Sequence, residues 1–264
     1  MKKLGFIGTG NMAITILSGI FKSSIQCSIS AYDINGNNYD FLLRHGVAAC
    51  ATAAAVVKRC DYIVLAVKPQ NFAEVLGKIR SVISKDAVLI SIAAGITEEY
   101  IAKTLGFSPK VVRVMPNTPL LIGKGATALA AGERVSEDEF EFVHSIFSLN
   151  SETAVIPADK MNEIIAINGS SPAFIYLFAK GFVDYAVKEG ISDDTALKLF
   201  CASLKGAADM MLKSEYAIDQ LIQMVSSPGG TTLAGLKEFE KNNFLEIIDK
   251  ACDSCTKRAY ELSK

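Results

Sequence analysis

A chain of 264 residues is long for a single core and natural for two lobes, because single cores stop growing near ~250–300 residues. Half of it is apolar and 21% charged, with 27 Lys and Arg against 28 Asp and Glu, a formal charge of −1. That balance offers nothing to neutralise a phosphate polymer, so nucleic acid is not an expected partner, and apolar runs break before the ~18 residues a membrane span needs.

From the start, Met1-Lys2-Lys3 is followed by a glycine loop rather than a long apolar stretch, so no export signal is read. Strands are expected at Leu4 to Ile7, Ser28 to Asp33, weakly at Val47 to Cys50, then at Asp61 to Val67, Ala87 to Ile92 and Val111 to Met115. Helices are expected between them: Met12 to Phe21, a short one to His45 after the polar turn Asn35-Gly36-Asn37-Asn38, then 52–59, 70–83 and 97–105. Strands spaced by helices imply a parallel sheet covered on both faces. The last extended segment closes at Ile156-Pro157-Ala158-Asp159. Beyond it the 3.6-residue period runs through 159–168, 171–189, 192–213, 215–225, 231–240 and 243–262, broken at Gly190, Pro228 and Gly229-Gly230. The expected organisation is a dinucleotide-binding α/β domain over 1–157 and an all-helical domain over 158–264.

Six cysteines, at 27, 50, 60, 201, 252 and 255, are too sparse for a disulfide scaffold, and reduced thiols in the cytoplasm are expected. Cys252-Asp-Ser-Cys255 has redox or metal spacing but lies in a helical stretch without a second pair, so two thiols on a helix flank is the plainer reading. With only His45 and His144, neither a His-based zinc site nor a Ser-His triad is expected.

Gly8-Thr9-Gly10-Asn11-Met12-Ala13 is GxGxxA between a strand and a helix. Gly8 permits the turn, Gly10 lets a pyrophosphate approach the backbone, and Ala13 lets helix and strand pack closely. Asp33 ends the second strand, where a carboxylate accepts from both hydroxyls of an adenosine ribose. A 2′-phosphate there meets a like charge, ~4 kcal/mol at ~4 Å and intermediate dielectric before screening. That favours NADH. The asparagines at 35, 37 and 38 offer donors to a phosphate, and Asp33 also reads as a solvated turn residue.

Two later strand ends, Ala66-Val67-Lys68-Pro69 and Ser91 to Gly95, belong on the same edge, where ligands of open α/β sheets lie. Small residues at Ala93 and Ala94 suit a flat nicotinamide. Lys68 is in reach of a phosphate or ribose, or is simply a solvated lysine. Asn117, in Met115-Pro-Asn-Thr-Pro119, either orients a ligand or sits in a two-proline turn. In the helical half, Ser226-Ser-Pro-Gly-Gly-Thr-Thr232 opens a helix near Thr231, whose free N–H groups either bind a carboxylate or are only capped. Asn168-Gly-Ser-Ser-Pro172 is a second break of this kind.

In these segments the chain resembles the pyrroline-5-carboxylate reductase family. Gly5 to Met12, Ala66 to Pro69, Ser91 to Gly95, Arg113 to Pro119, Gly169 to Ala173 and Val225 to Thr232 match in order and spacing over the whole length. The last segment is the family's signature. The resemblance implies a Rossmann domain with a helical domain that dimerises by interleaving helices, and an active site shared between the nicotinamide end of one subunit and the signature loop of its partner. It implies reduction of L-1-pyrroline-5-carboxylate to L-proline with NADPH or NADH. It also implies that Thr232 hydrogen-bonds the ring nitrogen, that Ser227, Gly229, Gly230 and Thr231 surround the substrate carboxylate, and that Glu215 lies near that loop. The resemblance extends to a homodimer and, in some members, to decamers built from dimers. One departure concerns the cofactor: NADPH-binding members often carry Ser or Thr after the second strand and Asn after the third, where this chain has Asp33 and Ala53.

Two other readings fit GxGxxA with a helical half. A β-hydroxyacid dehydrogenase uses a lysine of its helical domain, for which Lys160 is the nearby candidate. A non-catalytic dinucleotide sensor does not need the signature loop, yet Thr232 and both glycines are present. Helices of 159–226 are apolar on more than one face (Ile164, Ile165, Phe174, Phe178, Phe182), which a symmetric dimer covers.

Overall fold

The computed structural model describes residues 1–36 and 38–262; Asn37 of the polar turn lies outside them. Eight strands form one sheet: β1 (Lys2–Ile7), β2 (Cys27–Tyr32), β3 (Ala48–Ala49), β4 (Tyr62–Leu65), β5 (Val88–Ser91), β6 (Lys110–Met115), β7 (Gly125–Ala131) and β8 (Ser151–Val155). Their order is β3-β2-β1-β4-β5-β6-β7-β8. The six strands expected from the sequence, β1 to β6, pair in parallel throughout; β7, which the sequence does not announce, pairs antiparallel with β6 and parallel with β8. The reversal follows from the short turn of 3₁₀ helix at Thr118–Ile122, which returns the chain without a crossover helix.

The first six helices are α1 (Asn11–Lys22), α2 (Tyr39–Arg44), α3 (Ala53–Val57), α4 (Phe72–Ile79), α5 (Glu98–Leu105) and α6 (Glu137–Phe147). Local chemistry starts them. Thr52 and Thr97 accept from Ala55 N and Tyr100 N at 3.1 Å, and Ser136 with Glu139 forms a capping box. The strand pleat then sends alternate residues to two cores. Leu4, Phe6, Val64, Ile90 and Val112 pack with Ile16, Leu17 and Phe147 of α1 and α6. Ile63, Leu65, Leu89 and Val111 meet Val56, Phe72, Leu76, Ile79, Ile101 and Leu105 of α3, α4 and α5. Each such side chain contributes about 1.5–3 kcal/mol, and burial on both faces is why β4 reads as an unbroken apolar run.

The helices that follow are α7 (Ser171–Lys188), α8 (Asp193–Lys213), α9 (Ile218–Met224), α10 (Thr231–Lys241) and α11 (Phe244–Leu262). The expected helix over 159–168 is instead a 3₁₀ turn at Ala158–Lys160 and a π turn at Ile165–Gly169. Ser170 N closes the π turn on Ile165 O at 2.7 Å, and tertiary bonds hold it there, since Asn168 Nδ2 donates to Met115 O and Ala126 O at 2.6 and 3.1 Å.

Two compact units result, Met1–Ser170 with the chain from Asp253 onward, and Ser171–Cys252. By packing, the division falls after Ser170, because Met161 and Ile165 pack with Met115, Ala128 and Ala130 of the sheet. The end of α11 joins the same cluster through Ala259. Within Ser171–Cys252, Pro172 is the one buried residue among those described. Phe174, Phe178, Phe182, Phe239 and Phe244 line a groove of about 770 Å³ together with Ile247. No helix among the described residues is long and apolar enough to cross a membrane.

Candidate active site

Five loops leave the C-terminal ends of the adjacent strands β2, β1, β4, β5 and β6, and they carry every cofactor residue expected from the sequence. The turn after β1 is set by Gly8, at φ +95, whose N–H donates to Tyr32 O at 2.8 Å. A Cβ on Gly8 would lie 2.6 Å from Ala66 O, so the β1 and β4 loops touch only because the residue is glycine. Gly10, the N-cap of α1, brings no side-chain cap, and a Cβ built on it meets no protein atom within 4 Å. Ile14 N bonds Gly10 O at 3.0 Å, which leaves the N–H groups of Asn11, Met12 and Ala13 without helical acceptors. Open space above a bare helix start is what a pyrophosphate requires, and the chain fits a dinucleotide there.

Asp33 has a second task that the sequence does not reveal. Its Oδ2 accepts from Thr9 N at 2.8 Å and its Oδ1 from Asn35 N at 2.9 Å. Asn38, in the left-handed region at φ 66, donates from Nδ2 to Thr9 O at 2.7 Å. Both backbone polar groups of the fully buried Thr9 are therefore held by the segment after β2. A carboxylate has about four acceptor positions, so Asp33 keeps capacity for a ribose diol. Asn38, offered by sequence as a phosphate donor, has an amide hydrogen committed to this clamp.

Ala66 and Val67 are half-buried beside the glycine loop, while Lys68 is exposed and precedes the 3₁₀ turn that Pro69 begins. Ala93 and Ala94 follow β5, half-buried. Asn117 differs in kind: it is buried, with Oδ1 accepting from Ala126 N at 2.9 Å and Nδ2 donating to Asn168 O at 3.1 Å. Its amide ties β7 to the π turn, so its place is behind the edge loops. Arg113, in the same motif, donates to Ala158 O and Asn162 Oδ1 at 3.0 and 2.8 Å, and burial pushes its pKa down. Burial pushes the nearby Glu98 carboxyl up.

In the helical unit, the signature loop has the expected helix start. Gly229 takes φ +73, and Gly230 N closes a turn on Ser227 O at 2.9 Å. Gly230 is the N-cap of α10 without a side-chain cap, and a Cβ there would sit 2.6 Å from Ser227 Oγ. Thr231 and Thr232 occupy the first turn, exposed, with N–H groups facing out of the helix. Since Gly230 occupies the cap position, Thr232 is not the cap, and its hydroxyl bonds no described group. Glu215 is exposed in the bend between α8 and α9.

Lys160 is exposed and 3.3 Å from Asp159, whose hydrogen bond pushes the ammonium pKa up, the reverse of what a catalytic base needs. Among the described residues no group of His, Cys, Asp or Glu is placed to hold a metal.

Comparison with known proteins decides the family. Residues 158–262 match the family described as pyrroline-5-carboxylate reductase dimerisation. A pyrroline-5-carboxylate reductase of Escherichia coli is 34% identical over 266 residues, covering 100% of this chain and 99% of that protein. This chain belongs to the pyrroline-5-carboxylate reductase family. Residues 3–95 also match the family described as NADP oxidoreductase coenzyme F420-dependent, which supports a nicotinamide cofactor. Among solved structures, a Plasmodium falciparum pyrroline carboxylate reductase with NADP bound has a TM-score of 0.90 at 30% identity, covering 100% of this chain and 98% of that one. A Coxiella burnetii pyrroline-5-carboxylate reductase has a TM-score of 0.88 at 34% identity, covering 99% and 98%. The unburied helices of 171–252 thus belong to a dimerisation module of this family.

Proposed function

We propose that the chain works as a pyrroline-5-carboxylate reductase of proline biosynthesis that prefers NADH, with Thr232 as the residue nearest the reacting nitrogen. The reading rests on one observation above the others, the uncapped start of α10 behind Gly229 and Gly230 with an unengaged threonine hydroxyl one residue in. The N–H groups of Thr231 and Thr232 hold the substrate carboxylate, helped by Ser227 and by the positive end of the helix dipole. Glu215 is assigned to the rim of this loop.

A bound dihydronicotinamide supplies the hydride that reduces the imine carbon. The chain's task is orientation and proton supply. A cyclic imine accepts hydride poorly until its nitrogen gains a proton, so the Thr232 hydroxyl donates to that nitrogen and relays a proton from water. Geometry carries the remaining rate, because a well-placed pair at ~3–3.5 Å reacts with effective molarities of 10⁵ M or more. On the cofactor side, Gly8, Thr9, Gly10, Asn11 and Met12 cradle the pyrophosphate, Asp33 accepts from the ribose, Ala66 to Pro69 flank the dinucleotide, and Ala93 and Ala94 back the nicotinamide. Asn117 supports this edge from behind it.

Purified protein given pyrroline-5-carboxylate is expected to oxidise NADH faster than NADPH at equal subsaturating concentrations. No imine-dependent oxidation of either would end the reading, and faster use of NADPH would end the cofactor assignment alone. Turnover of a β-hydroxyacid with NAD⁺ above the imine rate would reverse the choice of substrate.

A further inference from the structure

The loop after β5 does not stand alone at the sheet edge. Gly95 is buried at φ +78, and a Cβ built on it would lie 2.5 Å from Ala259 O and 2.9 Å from Leu262 Cβ. Ala259 is 3% exposed and packs with Met115, Ala128, Ala130, Met161 and Ile165, with Ala94 against the same cluster. The last turn of α11 is therefore a wall behind Ala94-Gly95. Beside it, Ala94, Ile165, Cys255, Ala259 and Leu262 border a cavity of about 300 Å³, so the loop has room to shift if the wall moves.

We infer that Ala259 is a positioning residue for hydride transfer, acting through Gly95 and Ala94 on the nicotinamide end of the cofactor and not on its adenosine end. The inference rests on the reading of Ala93 and Ala94 as the nicotinamide loop. Interiors are packed at crystal density, so a displaced wall displaces what leans on it. A reacting centre misplaced by about 1 Å loses on the order of 10²-fold in rate. Among the described residues, a Cβ built on Gly8 meets Ala66 and Val67 and one on Gly10 meets nothing within 4 Å, so the adenosine half does not lean on this wall and keeps its seat.

The test compares whole NADH with ADP-ribose, a probe that lacks the nicotinamide. In Ala259→Val the Kd for NADH is expected to rise at least about fivefold and kcat to fall at least about tenfold, with the Kd for ADP-ribose within about twofold of wild type. Leu262→Ala, at the last turn and tolerant of change, is expected to show the same split at about threefold or more. NADH affinity and kcat unchanged in both variants, or NADH and ADP-ribose weakened by equal factors, would overturn the role. Ala94→Val separates the two levels. If it weakens NADH while Ala259→Val does not, the positioning role falls and the nicotinamide reading stands. If Ala94→Val changes neither NADH affinity nor kcat, the nicotinamide reading falls and the role of Ala259 with it.

Discussion

Thr232 stands one residue inside α10 with Gly230 already at the cap position, so its hydroxyl adds little to the helix start. Thr232→Ala should leave the thermal midpoint nearly unchanged and reduce kcat by about 10- to 150-fold, the worth of one hydrogen bond to a charged group, ~1.5–3 kcal/mol. Stopped-flow or steady-state rates at saturating substrate check it, and a kcat within about twofold of wild type removes Thr232 from the reacting centre. Asp33 carries both a loop bond and a charge, and two substitutions separate them. Asp33→Asn keeps an oxygen for Thr9 N and removes the charge, so the ratio of kcat/KM for NADPH over NADH should rise on the order of tenfold, since charge repulsion is partly screened. Asp33→Ser also loses the bond to Thr9 N, so it should shift the ratio likewise while weakening both cofactors. A ratio that stays at the wild-type value in both variants would show that this carboxylate does not face the ribose.

At the scale of elements, α6 illustrates how a local signal and a distant charge combine. Burial pushes the Glu139 carboxyl up, but the hydrogen bond from Lys110, 2.6 Å away, and those of the Ser136 capping box outweigh it and hold the pKa below the usual carboxylate value. A depressed carboxylate stabilises the fold above its unfolded pKa, ~4.3 for glutamate, and that contribution is lost as pH falls through the folded value. Glu139→Gln should therefore lower Tm by about 2–4 °C at pH 7, and the gap to wild type should close as the pH is taken below ~4.3. Glu98 has the opposite sign: burial raises its pKa, so stability tied to it is present at low pH and lost as pH rises through the folded value. Glu98→Gln should raise Tm at pH 7 and make no difference below ~4. Thermal melts across pH check both, and parallel curves for variant and wild type would contradict the assigned causes.

For the whole molecule, the decisive fact is that 171–252 has almost no interior of its own, with Phe178 38% and Phe182 44% exposed on a helix that is apolar on more than one face. Phe178 lies within 4.9 Å of Phe182 and 6.0 Å of Phe244 (ring centroids), so a charge there spoils the cluster that a partner covers. Wild-type protein at micromolar concentration should sediment as a dimer or a multiple of it, and Phe178→Asp should shift it toward single chains. Monomeric wild type would contradict a dimerisation role for this unit, and a mass of ten chains would show dimers assembled further.

What the sequence alone determined is whatever depends on neighbours along the chain. The glycine loop, β4 and the helices from α7 to α11 were legible because steric freedom at Gly8 and apolar periodicity are local properties. The signature loop was legible for the same reason, since Gly229, Gly230 and the threonines make a helix start wherever they occur. Tertiary structure decided the rest. β7, Gly-Ala-Thr-Ala-Leu-Ala-Ala, has no β-branched alternation and becomes a strand only because β6 and β8 supply its hydrogen bonds. Residues 159–168 give up the helix their period predicts because Asn168 finds better partners on the sheet than within its own turn. Asn117 and Asp33 look like ligand residues in the sequence, yet their amide and carboxylate bond backbone brought near only by folding. The seat of Gly95 against Ala259 is the extreme case, a contact between residues so far apart in the chain that only packing brings them together, with no pattern in either segment to announce it.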